Sequence, residues 1–323
     1  MLVIRKSQME VFETIAARRF EEGLLDHFRA FFPQHAAVLG EAQLQRVLRY
    51  GLQRAESRGL GTERGIYLYI ALMFMLGSRF DEDPQLPWAA REVKEEKPAS
   101  PKPPVPAEAG MAEAGMAETA PTETAGEAAA GTEGEAPKET ADARIERVYG
   151  QAMAFLDQTV GPDNEFLRQS LNVLRQSQTF EGLPTAPSFG HRLLLLLQML
   201  APEKYRTLGE ELSRDLVRHG YENAKRHGIA TERGIMSFVA LAFVLGSGFD
   251  RDPLYPWAAA LSAPEQTDPA RKGAALLETA LAHLAKCLPG CPRRAEQSAV
   301  ILARSTESYR RIVEGENQPR GPL

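Results

Sequence analysis

Two short acidic motifs, Asp81-x-Asp83 and Asp250-x-Asp252, lie 169 positions apart, and each follows an arginine, Arg64 or Arg233, at the same distance. Carboxylates separated by one residue have two chemistries open to them. They can converge on a hard cation such as calcium, or they can accept backbone N–H groups within a turn. A twelve-residue calcium loop needs further oxygen ligands and a closing glutamate, and neither stretch supplies them. Turn capping is therefore the expected role. Arg64 and Arg233 are expected to clamp the aspartates across the ends of a helix through charge-assisted hydrogen bonds. The competing role for these arginines is contact with a ligand or partner.

No other reactive side chains form a recognisable constellation. His27, His35, His191, His219, His227 and His283 occupy no H-E-x-x-H or other ligand spacing and read as incidental. Ser78 and Ser247 follow a glycine but lack the G-x-S-x-G frame of a hydrolase elbow. There is no G-x-G-x-x-G and no phosphate-binding loop. Cys287 and Cys291, in CLPGC, lack the second ligand pair of a structural zinc and read as reduced thiols. The expectation is a non-enzymatic protein without cofactor or metal. A metal- or ligand-binding role for the duplicated aspartates is the weakest of three alternatives.

The acidic motifs belong to a larger duplication. Residues 59–90 reappear at 228–259 without a gap, with 20 of 32 positions identical. At the same offset upstream, Pro33 matches Pro202, Gly51 matches Gly220 and Ala55 matches Ala224. A module of roughly seventy residues is close to the lower limit for an independent core and calls for flanking helices or its sister.

The elements that place these residues follow from apolar spacing. Met9, Phe12, Ile15, Phe20, Leu24 and Phe28 predict a long amphipathic helix ended by Pro33, and Leu44, Val47, Leu48, Leu52 and Ala55 predict a second. Thr62 and Thr231 are natural N-caps, with Glu63 and Glu232 at the positive end of the helix dipole. The helices they open are apolar on nearly every side and should be central in each module. Gly77 and Gly246 should end them in a left-handed conformation. After each comes an ordered hook, Phe80 to Trp88 and Phe249 to Trp257, stiffened by Pro84, Pro87, Pro253 and Pro256. Trp88 and Trp257 are candidates for anchoring the hook or for facing a partner. No stretch alternates with period two, so the class is all-α, two homologous helical modules in tandem.

The expected boundaries are a first module at 1–90, a linker at 91–143, a second module at 144–262 with extra N-terminal helices, and a C-terminal helical pair at 263–323 with a frayed end. Residues 91–143 contain no aromatic residue, leucine or isoleucine, and carry five basic against twelve acidic residues. A disordered tether carrying about −7 is expected there, long enough for two modules to reach two partners. Because the whole chain carries −5, the remainder is close to neutral and lacks the basic excess of a nucleic-acid binder. Only Leu2, Val3 and Ile4 precede Arg5 and Lys6, too few for a signal-peptide core, and no apolar run approaches a membrane span. The chain is expected to be soluble and cytoplasmic, without a nucleic-acid or membrane partner.

The duplicated pattern, Thr-Glu-Arg-Gly, an apolar helix, Leu-Gly and then Phe-Asp-x-Asp-Pro-x-x-Pro-Trp-Ala, resembles a group of small bacterial helical proteins encoded beside type VI secretion spike and effector genes. The opening Arg5-Lys6-Ser7-Gln8-Met9 is similar to theirs. The likeness covers 1–90 and, as a second copy, 189–259. It implies an accessory or adaptor role in effector loading, with a secretion spike, an effector or a toxin as partner. The alternative it implies is an immunity protein that neutralises a neighbouring toxin.

Overall fold

The computed structural model describes residues 6–93, 140–176, 180, 186–262 and 269–287. Among these the chain is all-α, with short 3-10 turns and no strand. The helices are α1 (Lys6–Phe31), α2 (Pro33–Leu39), α3 (Glu41–Ser57), α4 (Glu63–Leu76), α5 (Pro87–Val93), α6 (Ala141–Thr159), α7 (Glu165–Gln176), α8 (Phe189–Leu200), α9 (Pro202–Arg226), α10 (Glu232–Leu245) and α11 (Pro269–Cys287). Most of the expected tether, Cys291 and the second helix of the expected C-terminal pair lie outside the described residues.

The duplication is preserved element by element. α9 runs across a break at Gly209 (φ 77°, ψ 173°), matching Gly40 (φ 72°, ψ 164°) between α2 and α3, so its two parts repeat those helices. α4 and α10 are the hubs. Thr62 and Thr231 cap them by accepting from Gly65 N at 3.0 Å and Gly234 N at 3.1 Å. Tyr69, Ile70, Leu72 and Met73 in one, and Phe238 to Phe243 in the other, are sealed from solvent. Each of the larger aliphatic and phenylalanine side chains among them contributes about 1.5–3 kcal/mol of transfer free energy.

A helix apolar on all sides needs walls on all sides, and the second wall corrects the expected boundaries. α6, assigned by sequence position to the second module, packs on α4: Ile145, Val148, Tyr149, Ala152 and Leu156 belong to the first core. α11 plays the same part on α10 through Leu276, Leu277, Ala280, Leu281 and Leu284, so it completes the second core and is not a separate unit. α7 and α8 do join the second core, through Leu171, Leu174, Leu193 and Leu197.

The last residue of Thr-Glu-Arg-Gly lets these closing helices approach. A methyl group at Gly65 would run into the Asp142 carboxylate, and one at Gly273 of α11 would lie 2.5 Å from Gly234 Cα. Backbone cannot yield as a side chain can, so Gly273→Ala is expected to push α11 off α10 and cost about 2 kcal/mol of stability in urea titration.

Since α5 and α6 both pack in the first module, residues 94–139 leave and re-enter the same module. Glu92 at the end of α5 accepts from Arg147 of α6 at 2.7 Å. The insert therefore does not tether one module to the other. The matching connection in the second module is 263–268. Replacing 94–139 by a connection of that length is expected to keep the fold and raise stability by about 2 kcal/mol through lower loop-closure entropy. A change in the thermal midpoint in the opposite direction would refute it.

Candidate functional site

The second aspartate of each motif links the modules. Asp83 Oδ1 accepts from Gln85 N at 2.9 Å and Asp252 Oδ1 from Leu254 N at 2.8 Å, which closes each hook locally. The other oxygens cross over. Asp252 Oδ2 accepts from Ser78 N at 2.7 Å, and Asp83 Oδ2 accepts from Ser247 N at 2.8 Å. Each module thus caps the backbone that leaves its sister's central helix. Gln85 Nε2 adds a bond to Ala242 O at 3.0 Å, Gln43 Nε2 one to Pro253 O at 2.7 Å, and Leu254 inserts into the first core.

The glycines before Ser78 and Ser247 make this approach possible. Gly77 (φ 100°, ψ 150°) and Gly246 (φ 106°, ψ 147°) occupy an extended positive-φ region essentially restricted to glycine, not the left-handed helical one expected. A Cβ at Gly77 would also stand 3.1 Å from Leu245 O, and one at Gly246 3.2 Å from Leu76 O.

The first aspartates behave differently. Asp81 is fully buried and receives Arg54 Nη2 at 2.5 Å, Arg58 Nε at 2.7 Å and the Tyr69 hydroxyl at 3.2 Å. Arg54 and Arg58 also bind Glu82, whose pKa remains below the usual carboxylate range despite partial burial because of Arg54 and then Arg79. The expected clamp by Arg64 is therefore corrected. Arg64 Nε meets Glu146 of α6 at 3.0 Å, and the guanidiniums on Asp81 come from Arg54 in the last turn of α3 and Arg58 at its C-cap. In the second module Asn223, His227 and Phe238 stand where Arg54, Arg58 and Tyr69 stand in the first. Asp250 accepts from His227 Nε2 at 2.8 Å, with Arg251 at 3.7 Å. Asn223 is too short to replace Arg54, and its Nδ2 and Asp250 Oδ1 are both buried without a partner. His227, read as incidental, is thus part of this cluster. Arg233 lies in the first turn of α10, where its carbonyl accepts from Ser237 Oγ at 3.0 Å.

Trp88 and Trp257 are each partly buried. Trp88 packs near Phe155 of α6, with ring centroids 6.1 Å apart, and Trp257 lies among Phe249, Tyr255 and His283. Among the described residues no group of three or more His, Cys, Asp or Glu converges as a metal site, and no helix is long and apolar enough to cross a membrane.

Burial pushes the Asp252 carboxyl up to about 6, even though it accepts from Ser78 and Leu254 amides. The folded state then holds this proton more tightly than the unfolded chain, whose value is near 4. This group's contribution to stability is greatest below pH 4 and declines as pH rises to about 6. Asp252→Asn is expected to carry a fixed penalty and abolish that decline, which urea midpoints of both proteins across pH 4–6.5 would show.

No family model, curated protein or solved structure matches this chain. What the site can do rests on its geometry, in which the duplicated carboxylates are engaged by backbone amides, guanidiniums and an imidazole.

Proposed function

We propose that this protein is a non-enzymatic helical adaptor that binds protein partners, acting as an accessory factor for effector loading in type VI secretion. The observation that carries the reading is the reciprocal Asp83 and Asp252 exchange. It spends the duplicated carboxylates on joining two modules and presents the pair as one body with two related outer faces. The first module's tie between α5 and α6 favours bridging by that body over modules ranging independently on a tether. The resemblance of the duplicated block to bacterial proteins encoded beside spike and effector genes supplies the setting. Arg64, Trp88, Arg233 and Trp257 are the side chains proposed to border the partner-facing surfaces.

The test is affinity purification of the tagged chain from its native host, with mass spectrometry of what co-purifies and an Arg64→Glu/Arg233→Glu double variant as control. Recovery of a spike or effector component, reduced at least about tenfold in a variant of unchanged thermal midpoint, supports the reading. Equal recovery by both proteins, or recovery of nothing above background, would sink it. Rescue of cells from a neighbouring toxin would instead identify an immunity protein.

A further inference from the structure

A cavity of about 210 Å³ opens between the two modules. Phe32, Leu156, Leu167 and Val244 give it largely apolar walls drawn from both halves of the chain. Two polar groups with unused capacity lie among them. Lys204, in the first turn of α9, donates to Phe243 O at the C-terminal end of α10 and lies 5.1 Å from the centre of the Phe243 ring. An ammonium group has three N–H bonds, so two remain. Gln85, 2% exposed, uses its Nε2 on Asp83 and Ala242, while its Oε1 is buried without a partner.

Asp83 is the carboxylate whose charge acts on Lys204, without a direct hydrogen bond to the ammonium. Asp83 also lines the cavity, but its oxygens accept from the Ser247 and Gln85 amides, and no ion pair joins it to Lys204. His35 stands where Lys204 stands in the second module. Burial, followed by the charge of His283, lowers its pKa to about 4 and keeps it neutral. Burial, partly offset by the charge of Asp83, lowers Lys204 to about 8, which leaves it mostly cationic at neutral pH. The cavity is therefore a largely apolar recess whose wall carries the Lys204 cation and, held by backbone amides, the Asp83 carboxylate. An apolar cavity of about 150 Å³ accommodates benzene, so this one has room for a somewhat larger molecule.

We propose that the cavity between the modules binds a small amphiphilic carboxylate of about six to ten carbons, its head group accepting from Lys204 Nζ and its hydrocarbon filling the apolar walls. Gln85 Oε1 adds an acceptor for a hydroxyl on the ligand or for a water held beside it. Such a ligand touches both modules and stabilises their closed arrangement.

Calorimetric titration of the full chain with sodium octanoate, and separately with octan-1-ol, tests the assignment. Saturable octanoate binding is expected, weakened about tenfold or more in Lys204→Met while octanol binding is unchanged, as loss of a charge-assisted bond requires. Leu167→Trp, which fills the cavity from α7, should abolish binding of both and provides the test should Lys204→Met unfold. Failure of the full chain to bind octanoate saturably would overturn the proposal. So would equal octanoate affinity in wild type and Lys204→Met, or unimpaired binding in Leu167→Trp.

Discussion

Asp83→Ala and Asp252→Ala are each expected to lower the unfolding free energy by about 2–5 kcal/mol, a large share of the 5–15 kcal/mol available to a typical domain. Each aspartate serves two buried backbone amides, one in its own hook and one in the sister module. Alanine leaves both unsatisfied, at about 1–3 kcal/mol apiece. The two sites share one interface, so the double variant should depart from the sum of the singles. Local hook repair cannot restore the crossed bonds, and partial separation of the modules should accompany the loss. Urea titration read by tryptophan fluorescence, with solution scattering for the radius of gyration, measures both. A single variant within 1 kcal/mol of wild type would refute the reciprocal cap as a stabilising device.

Asp81→Ala should be comparably damaging and far more so than Asp250→Ala. Removing the fully buried Asp81 leaves Arg54 and Arg58, with side chains only 17% and 21% exposed, to share the single carboxylate of the more exposed Glu82. Breaking such a pair costs about 3–5 kcal/mol because the residual charge remains poorly hydrated. Asp250 has only His227 as a close partner and one oxygen already unsatisfied, so less than half that loss is expected. Equal effects at the two positions would contradict the asymmetry drawn between the modules.

That asymmetry explains part of what sequence alone left hidden. Comparing the copies directs attention to residues kept in both, and Arg54 and Arg58 are replaced by Asn223 and His227. A side chain used in only one module escapes such a comparison, whereas Arg64, kept in both, draws notice although it pairs with Glu146. The central helices, their threonine caps and the local half of each aspartate's bonding were legible, because capping and apolar periodicity depend on neighbours in sequence. The crossed half was not. An aspartate that closes its own turn through one oxygen gives no sign of what the other oxygen reaches. Apolar spacing likewise showed that 145–156 needs a core without showing which one, and proximity along the chain pointed to the wrong module.

The crossed bonds and the late arrival of α6 impose an order on biosynthesis. When Val93 has left the ribosome, α4 still lacks the wall that Ile145 to Leu156 will provide. The Ser78 amide waits longer, since its acceptor is Asp252. At about 5–20 residues per second, that interval lasts roughly 10–30 s. During it the nascent first module exposes one apolar flank of its hub helix, which makes this chain a natural client for chaperones that bind growing polypeptides.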